Sequence, residues 1–84
     1  MTKITIIEDD PTISQMYRMK FEADGFDVRI ANNGEIGVEV VRSFKPDVIL
    51  LDLQMPEMNG TEALRAIRAD DSSKTTPVII LTNL

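Results

Sequence analysis

Asp47-Val48-Ile49-Leu50-Leu51-Asp52, "DVILLD", sets four consecutive apolar residues between two acids. A strand with one wet face alternates apolar and polar residues. This one does not alternate, so it predicts a strand over 47–52 that is buried on both faces. Such strands belong to parallel sheets covered by helices on each side. Working outward, "PVIILT" at 77–82 predicts a second strand of the same apolar kind. Residues 3–8, with Ile4, Ile6 and Ile7, predict another. "DVRIA" at 27–31 alternates, as a strand near a sheet edge does.

Helical patterns separate these strands. Over 11–24, Ile13, Met16, Tyr17 and Phe21 fall roughly on one face. Asp10 is placed as N-cap, Pro11 suits the first helical position, and Gly25 suits the C-terminus. After the turn Asn32-Asn33-Gly34, residues 35–44 carry Gly37, Val40, Val41 and Phe44 at helical spacing, and Pro46 stops the helix. Residues 60–70 predict a third helix with Ala63, Leu64 and Ile67 facing inward, followed by the loop "SSKTT". The order βαβαβαβ is that of an α/β protein, a three-layer (βα)3β sandwich around a parallel sheet. With right-handed crossovers and the apolar first and third strands as central neighbours, the strand order is 2-1-3-4, flavodoxin-like. Ligands in such sheets bind where the order reverses, here at the carboxyl ends of the first and third strands.

The chain of 84 residues allows one small domain. It has no Cys and no His, which excludes disulfides, thiolate chemistry, imidazole ligands and Ser-His triads. The formal net charge is -5, without a basic cluster of the kind that tracks phosphates, so no nucleic-acid partner is expected. No apolar run reaches the ~20 residues of a membrane span, and no signal-peptide pattern precedes the first strand. The expected setting is cytoplasmic, without a membrane partner.

What remains is carboxylate chemistry. Glu8, Asp9 and Asp10 end the first strand and Asp52 ends the third. Each has an ordinary reading alone: Asp10 as a cap, the others as acids leading a strand out to water. Thr82, at the end of the fourth strand, is likewise an ordinary hydroxyl when taken singly. Together, four acids converge on one sheet edge with no Lys or Arg close in sequence. Repulsion of this kind is relieved by a cation, and an all-oxygen donor set selects a hard one, Mg²⁺ or Mn²⁺. A divalent ion there would let Asp52 act as a nucleophile toward phosphorus.

"IIEDDP" at 6–11, "PDVILLDLQMPEMNG" at 46–60 and "PVIILTNL" at 77–84 together resemble the receiver domain of two-component response regulators. The resemblance covers the whole chain. It implies that Asp52 is the phosphoacceptor, and that Glu8, Asp9, Asp52 and the Gln54 carbonyl hold the metal. Thr82 would be the switch hydroxyl beside the phosphoryl group, with Asn83 next to it bearing on access. Met55, Pro56, Asn59 and Gly60 would shape the loop into the third helix. The implied partner is a histidine kinase or a phosphotransfer protein. The module would promote its own phosphorylation without being a conventional enzyme.

The family continues beyond the fourth strand with helix, strand and helix, so residues 1–84 are expected to form a C-terminally truncated receiver domain. The family's lysine after the fifth strand then has no counterpart, and Lys3, Lys20, Lys45 and Lys74 are not placed to replace it. An apolar fourth strand with an open edge predicts a homodimer through that strand, involving Val78, Ile80 and Leu84 or their neighbours Ile79 and Leu81. Two other readings stay open. One is an interaction module, or a fragment made from a longer regulator, that is never phosphorylated. The other is a haloacid-dehalogenase-type phosphatase, disfavoured because Gln54 stands where that family wants a second acid.

Overall fold

The computed structural model describes residues 1–55 and 58–81. Among these residues seven elements follow in the expected order: β1 (Lys3–Ile7), α1 (Pro11–Ala23), β2 (Asp27–Ala31), α2 (Gly34–Phe44), β3 (Val48–Asp52), α3 (Gly60–Ala69) and β4 (Val78–Leu81). The four strands form one parallel sheet in the order β2-β1-β3-β4. None of the helices among the described residues is long and apolar enough to cross a membrane.

Local chemistry explains the boundaries. Asp10 caps α1, its Oδ1 accepting from the Thr12 N–H at 2.8 Å and the Ile13 N–H at 3.3 Å. The same helix closes on Gly25 at φ +90, with the Gly25 N–H donating to the Glu22 carbonyl and the Phe26 N–H to that of Phe21. Phe21 and Phe26 then meet edge to face across this turn, the apolar contact that accompanies such a stop. Asn33 and Asn59 cap α2 and α3 through their Oδ1 atoms. The end of α2 is Lys45, in the left-handed region at φ 53, immediately before Pro46.

Packing follows the alternation of each strand. Ile4 and Ile6 of β1, with Val28 and Leu50, meet Tyr17 and Phe21 of α1 on one face. Ile7, Ala31, Ile49 and Leu51 meet Val41, Ala63 and Ile67 of α2 and α3 on the other. β3 is buried on both faces, as its unbroken apolar run requires. Met16 is a correction: it is 57 % exposed, while Ser14 is buried. The buried stripe of α1 runs through positions 14, 17 and 21, spaced by three and four. Met16 is one residue, or about 100° of helix, away from Tyr17.

In β4 the apolar composition does not translate into burial. Ile79 is 54 % exposed and Ile80 36 %. Ile79 pairs with Leu50 and Ile80 with Leu51, so one faces each side of the sheet. Leu50 and Leu51 themselves stay buried, so the exposed apolar residues on this side of the sheet belong to β4 and not to β3.

Candidate functional site

The register delivers the acids to one row. Ile7 of β1 is level with both Ala31 of β2 and Leu51 of β3. The next residue on β1 is Glu8, whose N–H donates to the Ala31 carbonyl at 3.0 Å, and the next on β3 is Asp52. Glu8 is 1 % exposed and Asp52 2 %, whereas Asp9 is exposed. Glu8, Asp9 and Asp52 each offer a carboxylate oxygen, and these oxygens lie within 4.8 Å of one another. Asp10 does not join them; its carboxylate is committed to the cap of α1.

Two backbone donors orient the buried pair. The Asp10 N–H donates to Glu8 Oε2 at 3.1 Å, and the Gln54 N–H donates to Asp52 Oδ1 at 2.9 Å. Burial pushes the Glu8 carboxyl up to about 7, against the hold of the Asp10 N–H, and the Asp9 and Asp52 side chains push the same way. Among the described residues the ion pairs are Arg18–Glu22, Arg29–Asp27, Arg42–Asp70 and Lys74–Asp71, and none touches the site. Lys3 is at the far end of β1, its Nζ on the Phe44 carbonyl.

Residues 55, 58 and 60, after Asp52, are held by contacts with the rest of the fold. Met55 is buried in the core under α2 and α3, and Met58 packs against the same cluster. The Gly60 N–H donates to the Leu53 carbonyl at 3.1 Å. A Cβ at Gly60 would strike the backbone of Asp52 and Leu53, so this position is glycine for want of space. Of the residues expected at the site, Glu8, Asp9, Asp52, Gln54, Met55 and Gly60 gather here. Pro56, Thr82, Asn83 and Leu84 lie outside the described residues. The Gln54 N–H bond to Asp52 was not foreseen, though an acid followed two residues later by a free backbone donor is a common local pairing.

The sequence and the fold are matched across known proteins. The response regulator ArlR of Staphylococcus saprophyticus is 42% identical over 82 residues, covering 98% of this chain and 36% of that protein. The DNA-binding response regulator MtrA of Mycolicibacterium smegmatis is 35% identical over 80 residues, 95% of this chain and 34% of that one. The chain thus spans about a third of the length of these curated relatives. Among solved structures, the chemotaxis protein CheY4 of Vibrio cholerae superposes with a TM-score of 0.95 at 31% identity, covering 100% of this chain and 70% of that one. The receiver domain of a sensor histidine kinase from Pseudomonas aeruginosa, solved with a magnesium ion coordinated in its active site cleft, gives a TM-score of 0.92 at 28% identity over 96% of this chain and 66% of that one. The model of the response regulator receiver domain matches from residue 4 to residue 84, and by that match the chain belongs to this family.

Proposed function

We propose that this receiver domain takes a phosphoryl group onto Asp52 from a histidine kinase or a phosphotransfer protein, with Mg²⁺ or Mn²⁺ held beside it. The observation that carries the reading is the triad of carboxylate oxygens within 4.8 Å, two of its three acids buried, with no ion pair among the described residues to neutralise it. The donor set is all oxygen, which fits a hard divalent ion. Glu8, Asp9, Asp52 and the Gln54 carbonyl would hold it. The magnesium coordinated in the cleft of the Pseudomonas neighbour supports the same assignment. When bound, the ion supplies charge neutralisation between the carboxylates and the incoming phosphoryl oxygens.

The residues of the chain do the rest. The Gln54 N–H holds the Asp52 carboxylate in one orientation at the sheet edge. A carboxylate oxygen attacks phosphorus; the new P–O bond forms as the P–N bond of a phosphohistidine donor breaks, and the electron pair leaves with the imidazole, which gains a proton. Catalysis of such a transfer is mostly positioning and charge neutralisation, so no general base is needed. Thr82 and Asn83 would meet the phosphoryl oxygens, and Met55, Pro56 and Gly60 would hold the loop that carries Gln54. The module promotes its own phosphorylation and is not a conventional enzyme. It works in the cytoplasm. MtrA is named as DNA-binding; the acidic charge of this chain argues that its own 84 residues make no such contact.

Incubation with Mg²⁺ and a small acyl phosphate, followed by intact mass, tests the reading. Wild type should gain one phosphoryl group and Asp52→Asn none. Equal labelling of both, or of neither, would remove Asp52 as the acceptor.

The exposed Ile79 and Ile80 favour a second property alongside the first, homodimerisation through β4. A strand with free N–H and C=O groups and apolar side chains on both faces invites pairing with a copy of itself. Light scattering on the 84-residue chain should give twice its mass, and Ile80→Lys should return it to one. A wild-type monomer at tens of micromolar would exclude the dimer.

A further inference from the structure

Gly34 is the first residue of α2 and is buried. Its φ is not positive, so backbone conformation does not demand glycine there. Space does. A Cβ on Gly34 would fall inside the contact distance of the Met58 carbonyl oxygen and 3.0 Å from Met58 Cβ and Cγ. The closest of these is a backbone atom, which cannot swing aside as the end of a side chain can.

Met58 belongs to the segment that joins Asp52 to α3, one residue before the cap Asn59. Two of its described residues are held by contacts. Gly60 lies against the Asp52 and Leu53 backbone, close in sequence. Gly34 receives Met58 from across the fold, on a helix that contributes no carboxylate to the site.

We propose that Gly34 is a positioning residue for the Asp52 site: the bare N-terminus of α2 is the seat for Met58, and through Gly60, two residues on and set against the Asp52 and Leu53 backbone, this seat holds Asp52 and its neighbour Gln54 in place. The proposal rests on the metal-dependent phosphoacceptor reading above. Adding one methyl group at Gly34 displaces Met58, and with it Asn59 and Gly60, without touching any ligand. Remote residues that orient metal ligands are typically worth roughly 10–100-fold in affinity or activity.

The same helix provides the control. Gly37 is buried too, but a Cβ there would meet Ile7 side-chain atoms at 2.6–2.8 Å, in the core rather than at the loop. Gly37→Ala therefore perturbs stability without addressing the segment. The experiment is a Mg²⁺ titration of wild type, Gly34→Ala and Gly37→Ala, followed by the amide signals of Asp52 and Gln54 in the folded protein, with acyl-phosphate labelling rates alongside. Gly34→Ala should weaken Mg²⁺ binding roughly tenfold, and Gly37→Ala should stay within about twofold of wild type, whatever each does to the melting temperature. If Gly34→Ala is largely unfolded in buffer, an excluded osmolyte such as trimethylamine oxide raises the folded fraction, and the same comparison is made there. Wild-type affinity in Gly34→Ala, or equal loss in both variants, overturns the proposal. So does a Gly34→Ala that never folds while Gly37→Ala does, since its role would then be in folding alone. A wild type without any Mg²⁺ response is a different failure: it removes the phosphoacceptor reading and takes this proposal with it.

Discussion

The two ends of the same sheet treat their charges in opposite ways. At the amino end, Asp27 pairs with Arg29 at 2.7 Å and Asp47 accepts the Lys3 backbone N–H at 2.8 Å. Lys3 Nζ and the Arg29 guanidinium lie over the Phe44 ring at 5.3 and 4.6 Å. Acids, cations and an aromatic face satisfy one another there. At the carboxyl end, Glu8, Asp9 and Asp52 crowd together with backbone N–H groups and no cation among the described residues. The amino end pairs its charges within the fold, and the carboxyl end leaves three carboxylates to backbone donors and to one another, the pattern of a candidate site.

Three measurements test that contrast. The largest effect expected is in the pH dependence of stability without metal. Glu8 ionises near 4.5 in the unfolded chain and near 7 in the folded one. Between those values the folded state holds a proton that the unfolded state has released. The contribution of Glu8 is therefore fully present below about pH 4.5 and is lost as pH rises through about 7. Denaturant melts across this window should show falling stability in wild type and a flatter profile in Glu8→Gln. A flat wild-type profile would mean that the carboxyl end is no more strained than the amino end. Asp70, on the α3–β4 turn, behaves oppositely. Hydrogen bonds from Ser72 and then Arg42 hold it down to about 2, so its contribution stands above its ordinary value and is lost as pH falls through about 2.

Next is removal of one charge from the cluster. Two like charges about 4 Å apart repel by about 1 kcal/mol even at the dielectric of water. Asp9→Asn should therefore raise the melting temperature in metal-free buffer by roughly 4–8 °C, and should abolish the rise that Mg²⁺ brings in wild type. A lower melting temperature in the variant would show that Asp9 is stabilised where it stands and is not a ligand in waiting.

The smallest effect lies at the amino end. Phe44→Leu keeps an apolar side chain but removes the ring beneath two cations, exposed contacts that together contribute about 0.5 kcal/mol, the low end for such interactions. The melting temperature should fall by a few degrees while Mg²⁺ affinity stays unchanged. A change in Mg²⁺ affinity would show that the two ends of the sheet are coupled.

Much of the molecule could be read from the chain because the signals involved act over a few residues. An unbroken apolar run marked β3, Asp10-Pro11 marked the start of α1, and Gly25 and Pro46 marked helix ends. Alternation of strand and helix then left few topologies, and the order 2-1-3-4 places Glu8 beside Asp52 without any knowledge of side chains. What that reading missed involves distances across the fold. Met16 follows the helical pattern about as well as its neighbours, yet it is exposed because the sheet meets the stripe through Ser14, Tyr17 and Phe21. β4 is as apolar as β3, yet half-open, because burial depends on what lies alongside and composition does not supply it.

The alternation of elements, the caps and the meeting of Glu8, Asp9 and Asp52 at one sheet edge are written in the chain, since periodicity, capping and strand order are carried by neighbours along it. Only the tertiary structure decided that of the adjacent acids Glu8 is buried and Asp9 is not, that the Glu8 carboxyl rises to about 7, and that Gly34 lies against Met58. Solvation and steric contact are set by atoms that other elements bring in from far along the chain. No local pattern encodes them, and in this protein they distinguish a row of acids from a site.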